Sequence, residues 1–262
     1  MLRSVRAIRY VMPFREGGSV PALVEADDLG LYVVKLRGAG QGARALVAEL
    51  VAGELARAMG LAIPEIVLVT VDRELAASEP DPELCMPLEA SAGVNLGLDY
   101  LPGSIAFDPV AGPLPDPAVA SRIVLFDAFV ANVDRTARNT NLLWWHGRLW
   151  LIDHGASLYF HHGWDDATQL EGSNDPFAEV RHHVLLPWAS KLEDAAAHLA
   201  RTLTADVFER VVSEIPASWL QANGGFASVD LERAAYVAWL RARLAALPLV
   251  LKEAERAHAL TV

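Results

Sequence analysis

The sequence has 262 residues, 53% of them hydrophobic and 21% charged, and 22 basic against 33 acidic side chains give a net charge of −11. This composition excludes a disordered chain, and the acidic balance argues against direct binding to nucleic acid or anionic lipid. The single cysteine, Cys85, excludes an intramolecular disulfide framework and favours a reducing cytoplasm. No apolar run reaches a membrane span of roughly 18 residues, so we expect a soluble protein without a membrane partner.

The first third of the sequence predicts a strand-rich lobe. Apolar runs at 7–14, 20–26 and 31–36 alternate with turn residues, which indicates three short strands. Residues 38–61 carry a leucine stripe among many alanines and predict one long helix that ends at Gly60. A fourth strand is expected at 63–71.

The remainder predicts a connector and a second, mainly helical lobe. Residues 75–116 are rich in proline, glycine and acidic side chains, as in a connector, and carry one strand near 93–101. A hairpin is expected about the turn His146-Gly147. The other apolar segments predict helices, at 117–133, 192–203, 205–215 and 231–260.

These elements predict an α+β, bilobal architecture formed by one domain over residues 1–262. The strand-rich N-lobe with one long helix extends to about residue 100, the connector to 116, and the helical C-lobe from about 117 to 262. A cleft between two such lobes is where a ligand site is expected.

The segment VANVDRTARNTNLLWWHGRLWLIDHG carries the strongest chemical pattern. Asp134 directly follows an apolar helix, Asn139 comes five residues later, and Asp153 ends the second hairpin strand. Phosphoryl transfer from a nucleotide needs a group that orients the acceptor hydroxyl and at least two oxygen ligands for Mg²⁺. The spacing supplies all three.

Upstream residues fit the same chemistry. Lys35 ends the third predicted strand, and Glu49 lies on the following helix, where it can pair with Lys35 and hold the ammonium toward nucleotide phosphates. Glu54 on the same helix is the rival for that pairing.

A glycine-containing turn separates the first two strands. Backbone N–H groups of Gly17, Gly18 and Ser19 can approach the phosphates of a nucleotide. A glycine pair between two strands is also the ordinary composition of a hairpin turn. Both interpretations stay open.

Together these elements resemble the HipA-like kinases, in the compact form that lacks the family's extra N-terminal domain. The resemblance covers roughly residues 5–160 and is carried by GGSVP, YVVKL, AELVAGELARAMGLAIPE, NVDRTARN and LIDHG. It implies a protein-kinase-like fold, shared remotely with the phosphatidylinositol kinases, and binding of ATP and Mg²⁺. It implies these roles: Asp134 as catalytic base, Asn139 and Asp153 as Mg²⁺ ligands, and Lys35 as the lysine that binds the nucleotide phosphates. The match to the family's helix favours Glu49 over Glu54 as the partner of Lys35.

The expected function is therefore transfer of the γ-phosphoryl group of ATP to a hydroxyl, with protein serine or threonine the favoured acceptor. One alternative is a noncatalytic nucleotide-binding scaffold, because Thr136, His154 and Ala22 stand where relatives often have His, Phe and Lys. Another is a kinase of a small molecule or biosynthetic intermediate. Aminoglycoside and choline kinases typically carry His-Gly-Asp where this chain has Asn132-Val133-Asp134, which disfavours that alternative.

Several charged residues near the motifs keep two interpretations. Arg135 and Arg138 flank the predicted base and either contact phosphate or an acidic acceptor, or form ordinary ion pairs. The pairs His161-His162 and His182-His183 are poorly spaced to share one metal ion. We interpret them as loop or interface histidines.

Overall fold

The first lobe is built on a closed five-stranded barrel. The structure is a computed structural model, and it describes residues 1–14, 21–77, 88–220 and 225–261. The strands run in the order β1, β2, β3, β5, β4, with β1 antiparallel to β2 and parallel to β4. They are β1 (Arg3–Pro13), β2 (Ala22–Ala26), β3 (Leu31–Lys35), β4 (Ile66–Val71) and β5 (Gly93–Asp99).

Alternating β-branched residues explain why these segments form a barrel. Val24, Val34, Val67 and Val69 are fully buried and pack together inside it. β2, β3 and β4 lie within the runs predicted for them, whereas β1 begins at Arg3, four residues earlier than predicted. Closure by the parallel β1–β4 pairing was not predicted.

One long helix, α1 (Ala43–Ala58), packs between the barrel and the second lobe. Its leucines at 46, 50 and 55 are buried in the core cluster that also contains the helices of the second lobe. Gly60 follows the helix with φ +74°, a left-handed conformation that suits glycine and ends the helix as predicted.

The second lobe begins with a small sheet of β6 (Ile105–Ala106), β7 (Leu142–Trp145) and β8 (Arg148–Leu151). His146 and Gly147 both have positive φ, 47° and 71°, as a two-residue hairpin turn requires, so the hairpin prediction is confirmed. The connector carries β6 in addition to the one strand predicted there, while residues 78–87, including Cys85, lie outside the described residues.

Helices form the rest of the second lobe, as predicted. Between β8 and the next α-helix the chain forms three short 3₁₀ helices, Tyr159–His162, Ala178–His182 and Leu186–Trp188. They are too short to show the apolar periodicity by which a helix is predicted from sequence. The remaining helices are α2 (Arg73–Ala77), which belongs to the first lobe, α3 (Pro117–Phe129), α4 (Leu192–Thr202), α5 (Ala205–Ser213), α6 (Ala217–Leu220), α7 (Val229–Ala245) and α8 (Leu247–His258).

The final segment differs from the single helix predicted at 231–260. It consists of α7 and α8, which meet at 58° because Pro248 lies in the first turn of α8 and cannot continue the preceding helix. Trp239 and Val250 are buried, so both helices pack on their own lobe, as expected. Among the described residues no single helix is long and apolar enough to span a membrane, although this bent pair passes that test jointly.

Candidate active site

Lys35, Glu49 and Asp153 form one ionic cluster between the lobes, in which Lys35 and Glu49 are buried and Asp153 is partly exposed. Nζ of Lys35 donates to Oε2 of Glu49 and to Oδ1 of Asp153, each at 2.6 Å. Lys35 lies at the end of β3, Glu49 in the middle of α1, and Asp153 two residues after the end of β8. Glu54, the rival for Lys35, is bonded to Arg57 instead.

Burial and charge act in opposite directions in this cluster. Burial disfavours the charge on Lys35, but the carboxylates of Glu49 and Asp153 outweigh it and raise the pKa of Lys35 above its usual value. Burial likewise raises the pKa of Glu49, and the ammonium of Lys35 more than offsets this, bringing it to about 2. Lys35 and Glu49 are therefore fixed in their charged forms around neutral pH.

A second cluster surrounds Asp134 in the loop after α3. Oδ2 of Asp134 accepts hydrogen bonds from the side-chain amides of Asn139, at 2.7 Å, and Asn141, at 3.2 Å. The backbone N–H of Asp134 donates to Oδ1 of Asn132 at 3.1 Å. The N–H of Thr136 donates to the carbonyls of Asp134 and Asn139, so the threonine closes the loop through its backbone.

The hairpin brings these two clusters next to each other. Leu142 pairs with Leu151 across the strands, and the N–H of Ile152 donates to the carbonyl of Asn141 at 3.1 Å. Asp153 therefore lies at the same end of the hairpin as the loop of Asp134. Asn141 and Asp153 have positive φ, 49° and 55°, a conformation that Asn and Asp tolerate better than most residues.

A buried ion pair lies beneath the loop. Nε of Arg135 donates to Oδ2 of Asp127 at 2.5 Å, both side chains are fully buried, and His183 contacts the same oxygen at 2.9 Å. Burial raises the pKa of Asp127, but Arg135 and His183 outweigh this effect and hold the pKa below its ordinary range. Burial also lowers the pKa of His183. Of the two interpretations of Arg135, the structure supports the ion pair, which Arg135 forms with Asp127. Its Nη1 also donates to the carbonyls of Asn141 and Ile152.

The other charged residues near the motifs divide by burial. Arg138, His162 and His182 are exposed, whereas His161 and His183 are buried and are therefore not surface histidines. No group of three or more His, Cys, Asp or Glu suited to a metal ion occurs within the described ranges. A phosphate contact by Arg138 stays a prediction.

His161 is enclosed by the second lobe. Its Nδ1 lies 2.9 Å from the hydroxyl of Tyr236, and its ring is fully buried. Burial, with smaller effects of the His162 and Arg44 charges, holds the pKa of His161 well below its usual 6.5. The folded protein therefore contains this imidazole in its neutral form.

Mild acid should destabilise the fold through its histidines. His161, His162 and His183 have a lowered pKa in the folded state, so their contribution is present above pH 6.5 and is lost as the pH falls below it, where the unfolded chain takes up more protons. We expect buried His161 to lower the free energy of unfolding by about 1 kcal/mol between pH 7.5 and 5.5, and His162 and His183 to add contributions of the same sign. Urea unfolding followed by tryptophan fluorescence measures it.

A matched pair of variants controls this prediction. His161→Gln should make stability less dependent on pH, because the histidine with the strongly lowered pKa is gone, while exposed His182→Gln should leave the dependence as in the wild type. Equal pH dependence in all three proteins would contradict the assignment to His161.

Two of the three residues that depart from the relatives' pattern are buried. His154 is 1% exposed, with Nδ1 3.6 Å from Oε1 of Glu49 and its ring edge against Phe126. Ala22 lies in β2 opposite Val34. The predicted phosphate-binding turn of Gly17, Gly18 and Ser19 lies outside the described residues.

Four polar residues that support the site were not predicted: Asp127, Asn132, Asn141 and His183. A signal existed for Asp127, because a carboxylate inside the otherwise apolar run SRIVLFDAFV must find a partner when that helix is buried. Asn132 and Asn141 lie within the quoted motif without a distinctive spacing. Nothing near His183 in the sequence indicates its partner, since Asp127 is 56 residues away.

Comparison with known proteins decides the family. The profile of the HipA-like kinases matches residues 8–243, which is most of the chain. The chain belongs to the HipA-like kinase family. The match extends beyond the region of about 5–160 in which the motifs showed the resemblance. No curated protein matches this HipA-like kinase significantly.

Several solved structures are similar to this HipA-like kinase. The proinflammatory kinase CtkA of Helicobacter pylori is similar, with a TM-score of 0.61, 11% identity, and 98% of this chain and 99% of that chain covered. This likeness confirms the bilobal kinase-like fold. The Golgi casein kinase is similar at 12% identity with a TM-score of 0.49, covering 97% and 72% of the two chains. A second structure of that kinase, with Mn/ADP bound, has a TM-score of 0.48, 11% identity and coverage of 96% and 73%.

Proposed function

We propose that this HipA-like kinase is an ATP- and Mg²⁺-dependent enzyme, formed by one domain, that transfers the γ-phosphoryl group to a serine or threonine hydroxyl of a protein. The observation that carries the proposal is the meeting of a lysine–glutamate–aspartate cluster with an aspartate–asparagine cluster at one end of the hairpin. A reducing cytoplasm, without membrane or nucleic-acid partner, is the proposed setting.

The donor atoms at the site suit Mg²⁺. The carboxylate of Asp153 and the side-chain carbonyl of Asn139 are hard oxygen donors, and the Asp153 side chain is 41% exposed, so it is accessible. Mg²⁺ in kinases is held by one or two protein groups together with phosphate oxygens and water, which agrees with a site lacking three clustered ligands among the described residues. When bound, the ion would neutralise charge on the phosphates.

The hydrogen bonds of Asp134 support its role as the base. Two amides occupy Oδ2, while Oδ1 accepts no hydrogen bond from the described residues and is available to a hydroxyl. Because Nδ2 of Asn139 donates to Asp134, its carbonyl oxygen is left to face a metal ion. One asparagine thus would both orient the base and bind Mg²⁺.

Lys35 would supply a fixed positive charge to the nucleotide. Its side chain is 10% exposed and its ammonium is held by Glu49 and Asp153, so its position is set before a ligand arrives. Phosphoryl transfer depends mostly on positioning and charge neutralisation, which preorganised groups provide without rearrangement.

The proposal is tested by incubating purified protein with radiolabelled ATP, Mg²⁺ and a cell extract, while calorimetry measures nucleotide binding. Label on the protein itself or on an extract protein, with phosphoserine or phosphothreonine after hydrolysis, is the expected result. Label on a small molecule would support the alternative acceptor, and Mg²⁺-dependent binding without transfer would support the noncatalytic scaffold.

Variants of Asn139 and Asn141 should differ in the Mg²⁺ concentration that their activity requires. Asn139→Ala removes a proposed Mg²⁺ ligand and a hydrogen bond to Asp134, so it should lower kcat and raise the Mg²⁺ concentration for half-maximal activity. Asn141→Gly suits the positive φ of this position and removes a hydrogen bond to Asp134 but no proposed ligand, so kcat should fall about tenfold at unchanged Mg²⁺ requirement. Magnesium titrations of initial rate measure both, with exposed Asn174→Ala as control. An equal Mg²⁺ requirement in both variants would remove Asn139 from the ligand set.

A further inference from the structure

Asp127 is the centre of a buried network under the proposed catalytic loop. Its Oδ1 accepts from the side-chain amide of Asn132 at 3.0 Å, and its Oδ2 accepts from Arg135 and contacts His183. The four side chains are at most 7% exposed. Charge-assisted hydrogen bonds in such surroundings hold a fixed geometry.

Two routes lead from this carboxylate to the two clusters of the site. Oδ1 of Asn132 accepts a hydrogen bond from the backbone N–H of Asp134. This bond orients the backbone that carries the proposed base. Arg135 donates to the carbonyls of Asn141 and Ile152, and Ile152 directly precedes the proposed metal ligand. The orientation of Asp127 therefore influences both clusters.

His183 is held in one tautomer by its surroundings. The N–H of Leu185 donates to Nδ1 at 3.0 Å, so Nδ1 carries no proton. Nε2 then carries the proton and donates to Oδ2 of Asp127 at 2.9 Å. The backbone adds two ties, because His183 pairs with Thr136 and the N–H of Val184 donates to the carbonyl of Arg135.

We propose that His183 is a positioning residue, which donates through Nε2 to Asp127 and thereby fixes the catalytic loop from the 178–188 segment. This rests on the proposed phosphotransferase function. The segment is bonded to Asp127 through His183, so any movement of it would reach Asp134 through Asp127 and Asn132. Activity is then coupled to the docking of residues 178–188.

Two amide substitutions of different length isolate the donor. His183→Gln can place an N–H near the position of Nε2, whereas His183→Asn is too short and retains only an acceptor near Nδ1. We expect kcat of His183→Asn to fall about 10- to 100-fold with less than about threefold change in KM for ATP, and His183→Gln to recover most of it. His182 is exposed and directly precedes His183, and His182→Gln should behave as the wild type.

A measurement that needs no turnover completes the test. In hydrogen–deuterium exchange, peptides covering 132–141 should exchange faster in His183→Asn than in the wild type and in His183→Gln. Faster exchange with an inactive wild type would refute the proposed function and keep the positioning role. An active wild type with unchanged exchange and kcat in His183→Asn would overturn the positioning role, as would equal losses in both variants that track thermal stability.

Discussion

Phosphoryl transfer by Asp134→Asn is expected to fall about 100- to 10,000-fold below the wild type, the usual contribution of a positioned general base. Asparagine retains an oxygen that can accept the amide hydrogens of Asn139 and Asn141, so the loop keeps its shape. It cannot take the proton of the acceptor hydroxyl. Radiolabel transfer at saturating ATP gives kcat, and calorimetry should show nucleotide affinity within about threefold of the wild type.

The control for this result is an exposed carboxylate far along the chain. Asp206→Asn on α5 removes the same charge outside the site and should retain wild-type activity. Full turnover by Asp134→Asn would show that another group accepts the proton. Loss of nucleotide binding together with turnover would instead point to a collapsed loop.

The second large effect is expected for Asp153→Ala. Because Asp153 is the accessible carboxylate of the ionic cluster, its loss should remove the Mg²⁺ dependence of ATP binding and abolish detectable transfer. Lys35 keeps its hydrogen bond to buried Glu49, and Asp153→Gly, which suits the positive φ of this position, should give the same result. Calorimetric titration of ATP with and without Mg²⁺ measures the difference between the two affinities.

The matched comparison is Lys35→Met, which removes the cation and leaves the carboxylate. This variant should bind ATP more weakly while ATP binding still responds to Mg²⁺, in contrast to Asp153→Ala. If Asp153→Ala bound ATP with the full wild-type response to Mg²⁺, the proposed ligand would lie elsewhere.

Local patterns explain which parts of the fold could be predicted. The alternation in β1–β3 and the leucine stripe of α1 act over a few residues, so they are visible in the sequence. Barrel closure depends on pairing Arg3–Arg6 with Val67–Thr70, and no local signal encodes a register between such distant segments. The break at Pro248 was readable, because proline inside a helical pattern ends or bends the helix.

The site divides in the same way. The motif residues lie close in sequence or follow recognisable strands, and the structure brings Lys35 to Glu49 and Asp134 to Asn139. Their chemical roles stay predictions until the variants are measured. The direct contact of Lys35 with Asp153 joins residues 118 apart and could not be derived from spacing.

The closed barrel sets the order in which the first lobe can be completed during synthesis. β1 leaves the ribosome first, yet its second neighbour, β4, ends only at Val71, and β4 and β3 both need β5, which ends at Asp99. Until then the nascent chain holds an open sheet with unpaired edges, which favour association with other chains. Completion is a non-local step, because β3 and β4 acquire their last partner only when β5 has been made.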